Sequence, residues 1–124
     1  MSEIRYTPSH EWLRLEDDGS VTVGITGYAQ ELLGDLVYVA LPKEGESFSQ
    51  GQEAATIESV KAAADVTMPV DGTIVMVNTL LIDEPNLVNE APESDGWFFR
   101  ILPSAPSQLE GLMGSLAYQH QINP

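Results

Sequence analysis

The chain of 124 residues contains no cysteine, which removes disulfide frameworks, thiolate nucleophiles and cysteine-ligated metals at once. Histidine is nearly as scarce: His10 and His120 stand at opposite ends without ligand spacing, and no metal site is expected. Five basic residues against nineteen acidic ones give a formal net charge of -14. Such a field repels phosphate backbones and anionic lipid surfaces, so neither nucleic acid nor a membrane is expected as a partner. Apolar runs stay well short of the roughly 20 residues of a membrane span. The opening Met1-Ser2-Glu3-Ile4-Arg5 has neither a basic patch followed by an apolar stretch nor an Arg-rich, acid-poor character, and a cytoplasmic location is expected. No phosphate-loop glycine pattern, nucleophile elbow or grouped nucleophile and base occurs. No catalytic residue is therefore assigned, and an independent enzyme is the weakest reading.

What is present is a succession of short strands between turns. Leu13 and Leu15, the turn Asp17-Asp18-Gly19, then Val21, Val23 and Ile25 alternate as a β-hairpin does. Residues 28–33, between Gly27 and Gly34, suit one or two helical turns that act as a connector. Residues 36–41 read as a largely buried strand closed by Pro42, followed by a short strand around Phe48. Extended runs at 54–60, 64–68 and 73–77 follow; residues 78–95 read as turns, and 97–101 as an aromatic strand. One domain spanning 1–124 is expected, mainly β, as a sandwich or barrel.

A faint repeat, Gly34-x-Leu36-Val37-x-Val39 echoed by Gly72-x-Ile74-Val75-x-Val77, suggests two similar halves joined by the segment carrying Lys61. From Ser107 the period becomes helical. Leu109, Leu112, Met113 and Leu116 share a face, with Ser107 as N-cap and Glu110 completing a capping box. Gly111 and Gly114 weaken that helix.

The chain has two lysines. Lys43 sits in a charged turn, whereas Lys61 follows the β-prone Ala55-Thr56-Ile57-Glu58-Ser59-Val60 and precedes three alanines. A lysine at a tight bend projects its stem into solvent, and small neighbours leave its amine accessible to another protein. The string Glu58-Ser59-Val60-Lys61-Ala62, continued by Ala63-Ala64-Asp65-Val66 and Pro69-Val70-Asp71-Gly72, resembles the attachment hairpin of glycine cleavage system H proteins. Further matching segments follow in the same order and spacing: Ser9-His10-Glu11-Trp12, Gly24-Ile25-Thr26-x-Tyr28-Ala29-Gln30, Leu33-Gly34-Asp35, Val39-x-Leu41-Pro42, Pro85-x-Leu87-Val88-Asn89 and Gly96-Trp97.

This resemblance implies a flattened barrel-sandwich hybrid of the lipoyl-domain type, with short helices and a C-terminal helix, acting as a non-catalytic carrier. It implies lipoic acid in amide linkage to Lys61, with Glu58 recognised by the lipoyl-attaching enzyme. It also implies three further partners. A pyridoxal-phosphate glycine decarboxylase passes an aminomethyl group to the lipoyl arm, a tetrahydrofolate-dependent aminomethyltransferase collects the one-carbon unit, and dihydrolipoamide dehydrogenase reoxidises the dithiol. The carrier is expected to be a monomer. The resemblance further implies a cleft for the loaded arm, with Ser9, Glu11 and Asp65 as polar contacts and Ile25 and Leu32 as apolar walls. Two rivals stand beside this reading: an H-like lipoyl relay that donates its lipoyl group to other enzymes, and an unmodified β-sandwich binding module. If Glu11 and Asp65 hold the loaded amine, replacing both by alanine speeds release of formaldehyde and ammonia from the loaded protein; unchanged release rates, followed by formaldehyde trapping, contradict it.

Overall fold

The computed structural model describes residues 3–123. Its strands are β1 (Glu3–Tyr6), β2 (Glu11–Leu15), β3 (Val21–Ile25), β4 (Leu36–Ala40), β5 (Ser47–Phe48), β6 (Glu53–Ser59), β7 (Ala63–Thr67), β8 (Gly72–Val77) and β9 (Phe99–Pro103). Its α-helices are α1 (Gly27–Leu33), α2 (Leu80–Asp83), α3 (Leu87–Glu90) and α4 (Ser115–Ile122). Two antiparallel sheets result, one ordered β1-β2-β3-β9-β8-β5 and the other β4-β6-β7. The architecture is the expected one of two sheets, short helices and a C-terminal helix.

Alternation along the β2–β3 hairpin explains the core. Leu13 pairs with Val23 and Leu15 with Val21, so Leu13, Val21, Val23 and Ile25 turn inward and are buried. Val39, Ala55, Ile57 and Val66 face them from the smaller sheet, and Phe98, Phe99 and Ile101 fill the space beside β9. Trp12 lies flat on Gly24, its cross-strand partner, and donates its indole N–H to the Pro92 carbonyl at 2.8 Å. The tryptophan is thus a packing residue with its polar edge satisfied.

The echoed motifs fall on β4 and β8, one in each sheet. Leu36 and Ile74 are buried at equivalent positions, while Val37 and Val75 are exposed. The two motifs thus share burial at these two positions but not at their ends, where Gly34 and Val77 are half-buried and Gly72 and Val39 buried.

Four expectations need correction. The run 36–41 is not largely buried: Val37 and Tyr38 are 57% and 50% exposed, because β4 is an edge strand whose register shifts between Leu36 and Tyr38. The turn-like segment 78–95 contains α2 and α3, each four residues long and too short to show a helical period, yet they bury Leu81 and Val88 completely. The C-terminal helix starts at Ser115 rather than Ser107. Residues Pro106–Gly111 form a 3-10 turn capped by Ala105, and Leu112 is extended. Gly111 and Gly114 break the continuous helix that the leucine spacing suggested. Met113 bridges Tyr6, and Leu116 is 79% exposed. The helical residue buried instead is Tyr118, stacked on Tyr6 with ring centroids 4.6 Å apart. Strand β1, which these contacts hold, was not anticipated, and the aromatic strand begins at Phe99 rather than Trp97.

A Cβ at Gly24 would lie 2.7 Å from the Trp12 ring. Gly24→Ala is expected to cost about 1–3 kcal/mol, by the overpacking it forces, and to lower the thermal midpoint accordingly. An unchanged midpoint would mean that the indole is free to move aside.

Candidate functional site

Lys61 occupies the tip of the β6–β7 hairpin and is exposed. Ser59 shapes the tip. Its hydroxyl accepts from the Lys61 and Ala62 amides at 3.2 and 3.0 Å and donates to the Ala62 carbonyl at 3.0 Å, beside a 2.8 Å backbone bond from Ser59 to Ala62. This local side-chain bonding supplies the turn chemistry that the alanines lack. Among the described residues the Lys61 ammonium has no ion-pair partner, so the amine is uncommitted.

The lysine stem lies across Gly34, the C-cap of α1. A Cβ there would sit 3.3 Å from Lys61 Cε, and Gly34 has φ 80 and ψ -162, a backbone region essentially reserved for glycine. The hairpin tip is tied to the same turn, because the Val60 amide donates to the Asp35 carbonyl at 3.0 Å.

Beside this platform opens a cleft of about 180 Å³. Ser9, Glu11, Ile25, Leu32 and Asp65 all line it, brought together from the loop before β2, the ends of β2 and β3, α1 and β7. Sequence reasoning did not place His10, Leu33 or Ala64 in its wall. His10 adopts a left-handed backbone, φ 70, and its Nδ1 lies 2.9 Å from the Tyr118 hydroxyl, which is itself 2.7 Å from Thr26 Oγ1. The C-terminal helix thereby braces the cleft rim. The only sign of this in the sequence was the position of His10 inside a matched motif. Glu58 lies elsewhere, exposed on β6 between Tyr38 and Ala63 in register.

The two carboxylates of the cleft differ. Asp65 is exposed and accepts from Thr56 Oγ1 at 3.2 Å. Glu11 is only 3% exposed, with Thr7 donating to Oε1 at 2.7 Å and Thr67 to Oε2 at 3.3 Å. Burial pushes its carboxyl above the ordinary glutamate range, while hydrogen bonds from the Thr7 hydroxyl and from the Thr67 amide and hydroxyl pull partly back. Among the described residues no lysine or arginine lines the cleft. Apolar walls with two carboxylates and no cation suit an apolar chain ending in a positively charged group.

An exposed lysine at a hairpin tip beside a small cleft lined by two carboxylates is the arrangement a carrier domain presents. Residues 4–124 match the family model described as glycine cleavage H-protein. Relatives bearing the name glycine cleavage system H protein include one from Chromobacterium violaceum, 54% identical over 98% of this chain and 94% of its own length. Another, from Teredinibacter turnerae, is 53% identical over 98% of this chain and 93% of its own. The crystal structure of a glycine cleavage system H protein from Mycobacterium marinum superposes with a TM-score of 0.89 at 37% identity, covering 98% of both chains. The chain belongs to the glycine cleavage H-protein family, whose members are non-catalytic carrier subunits that bear lipoic acid on a lysine. They work with glycine decarboxylase, aminomethyltransferase and dihydrolipoamide dehydrogenase.

The Glu11 shift has a signed consequence. With its folded pKa raised, the folded state holds this proton more tightly than the unfolded state. That stability is present below the unfolded glutamate value, about 4.3, and is lost as pH rises through the folded value. Glu11→Gln removes the ionisation, so in thermal melts the variant should gain on the parent between about pH 4 and pH 7. A difference that is the same at both pH values would show that Glu11 is not desolvated.

Proposed function

We propose that Lys61 is the lipoyl attachment point of this carrier, and that the adjoining cleft receives the far end of the arm in glycine cleavage. The observation that carries the reading is the continuity of the path. The Lys61 stem rests on Gly34, the next residue back is Leu33, and Leu33 and Leu32 already form the cleft wall. On the other side Ala64, also in the wall, is three residues from Lys61, a span of at most roughly 10 Å.

The residues present fit such a group. When bound, lipoic acid supplies a dithiolane that accepts an aminomethyl unit together with the reducing equivalents of the decarboxylation. Lys61 gives up its charge on forming the amide, so an arm running from Gly34 over Leu33 and Leu32 buries no ammonium. Ile25, Leu32 and the neighbouring apolar side chains exclude water from the cleft. Glu11 and Asp65 accept hydrogen bonds from a cationic amine, and Ser9 offers a further hydroxyl at the mouth. Between them, the buried Glu11 supplies the stronger field, because less solvent screens it.

On this reading Glu58 is a recognition feature for the lipoyl-attaching enzyme: its exposed carboxylate lies three residues before Lys61, on the face of β6 that carries Thr56. Partner docking is cytoplasmic and involves the described decarboxylase, aminomethyltransferase and dehydrogenase around a monomeric carrier that acts as one domain. Among the described residues no helix is long and apolar enough to cross a membrane. The acidic surface favours partners with basic docking faces.

Intact-mass measurement after incubation with lipoic acid, ATP and a lipoyl-attaching enzyme tests the attachment. The parent chain and Lys43→Arg should each gain a single lipoyl group, whereas Lys61→Arg should gain none. A lipoyl gain retained in Lys61→Arg would move the site elsewhere.

A further inference from the structure

Asn89 lies on α3, outside the cleft, and its side chain uses every bond it makes on the turn that supports Lys61. Its Nδ2 donates to the Gly34 carbonyl and to Gln30 Oε1, both at 2.9 Å, and its Oδ1 accepts from the Leu36 amide at 2.9 Å. The amide therefore spans the junction from the last turn of α1 to the start of β4. The Leu36 amide and the Gly34 carbonyl find side-chain partners here, where the chain leaves the helix end and Leu36, paired with Ser59 of β6, opens an edge strand.

The turn so held has two other duties. Gly34 stays in its glycine-only conformation beneath the lysine stem, and Asp35 offers its carbonyl to the Val60 amide at the hairpin tip. The Ser59 bonds shape the tip from within, and the Val60–Asp35 bond ties it to the turn, while Val60, Lys61 and Ala62 are all exposed. A strained turn persists only where its surroundings over-determine it. Here Asn89 supplies the side-chain part of that support, beside the Gly34 amide's bond to the Gln30 carbonyl and the pairing of Leu36 with Ser59.

We infer that Asn89 is a positioning residue for the attachment hairpin: by clamping the Gly34–Asp35 turn it holds the tip, and with it Lys61, in a single orientation toward the lipoyl-attaching enzyme. Asn89 touches neither the lysine nor the cleft and acts through the backbone it fixes. The inference rests on the reading of Lys61 as the modified residue, and it deepens that reading by naming what presents the lysine. Loss of the clamp lowers the fraction of molecules with the tip in place. A binding-competent fraction enters the apparent affinity of the modifying enzyme, not the rate once it is saturated.

The experiment compares full-length unmodified parent, Asn89→Ala and Asn89→Asp. Asn89→Asp keeps an acceptor for Leu36 and turns an oxygen toward the Gly34 carbonyl, so it breaks the clamp without a cavity if the alanine variant folds poorly. Amide hydrogen exchange reads the clamp without any modification. Val60 should exchange about tenfold faster in either variant, while Ile57 and Val23 keep their protection. With lipoic acid, ATP and a lipoyl-attaching enzyme, KM for the carrier should rise about tenfold with kcat within about twofold, at a temperature where melts show the variants folded. A general loss of stability would instead speed exchange at all three amides and leave KM unchanged while the chain is folded. Unaltered Val60 exchange, or a KM equal to the parent's, overturns the inference. If the parent itself is not modified on Lys61, the attachment reading fails, and the Val60 measurement still decides whether Asn89 fixes the tip.

Discussion

The stem of Lys61 crosses the bare Cα of Gly34, and the presentation of the lysine depends on that contact. Any side chain at 34 would meet both a forbidden backbone conformation and the lysine methylenes. Because the glycine is bare, the β6–β7 tip can lie close to the end of α1, where the Val60 amide reaches Asp35. This contact joins the smaller sheet to the helix whose Leu32 and Leu33 form one wall of the cleft. The lysine tip and the cleft are thus parts of one surface.

The electrostatics follow the same division. Near Lys61 the surface is solvated and the amine unpaired, which suits a group that another protein must reach. In the cleft, Glu11 is held largely out of water and its carboxylate is bonded by Thr7 and Thr67. A buried carboxylate with hydroxyl partners and no cation is costly to ionise and strongly attractive to an arriving ammonium. Tyr118 of α4 braces the cleft rim through His10 and Thr26.

Much of the architecture was legible in the letters, and the reasons differ by element. The β2–β3 hairpin was readable because strict alternation and Asp17-Asp18-Gly19 agree, and Gly19 takes a positive φ in the turn. The short helices α2 and α3 were not, since four residues carry no period, and their buried Leu81 and Val88 look like any apolar residues in a turn-rich stretch. The C-terminal leucines misled because their spacing is helical although Gly111 and Gly114 interrupt the backbone. Lys61 stood out by composition, but Ser9, Glu11, Ile25, Leu32 and Asp65 come from four separate stretches of chain, and only likeness to a family could group them before the fold did so. Asn89 was visible in a matched motif without any hint of its three bonds, because its partners lie 53 to 59 residues away.

The carrier role in glycine cleavage, as distinct from a relay of lipoyl groups to other enzymes, is decided most directly by the decarboxylase itself. Lipoylated and unmodified chains are mixed with glycine and the pyridoxal-phosphate glycine decarboxylase, and release of carbon dioxide is followed as carrier concentration is raised. The lipoylated chain should support saturable release and the unmodified chain essentially none. A lipoylated chain that supports no more release than the unmodified one would contradict the assignment.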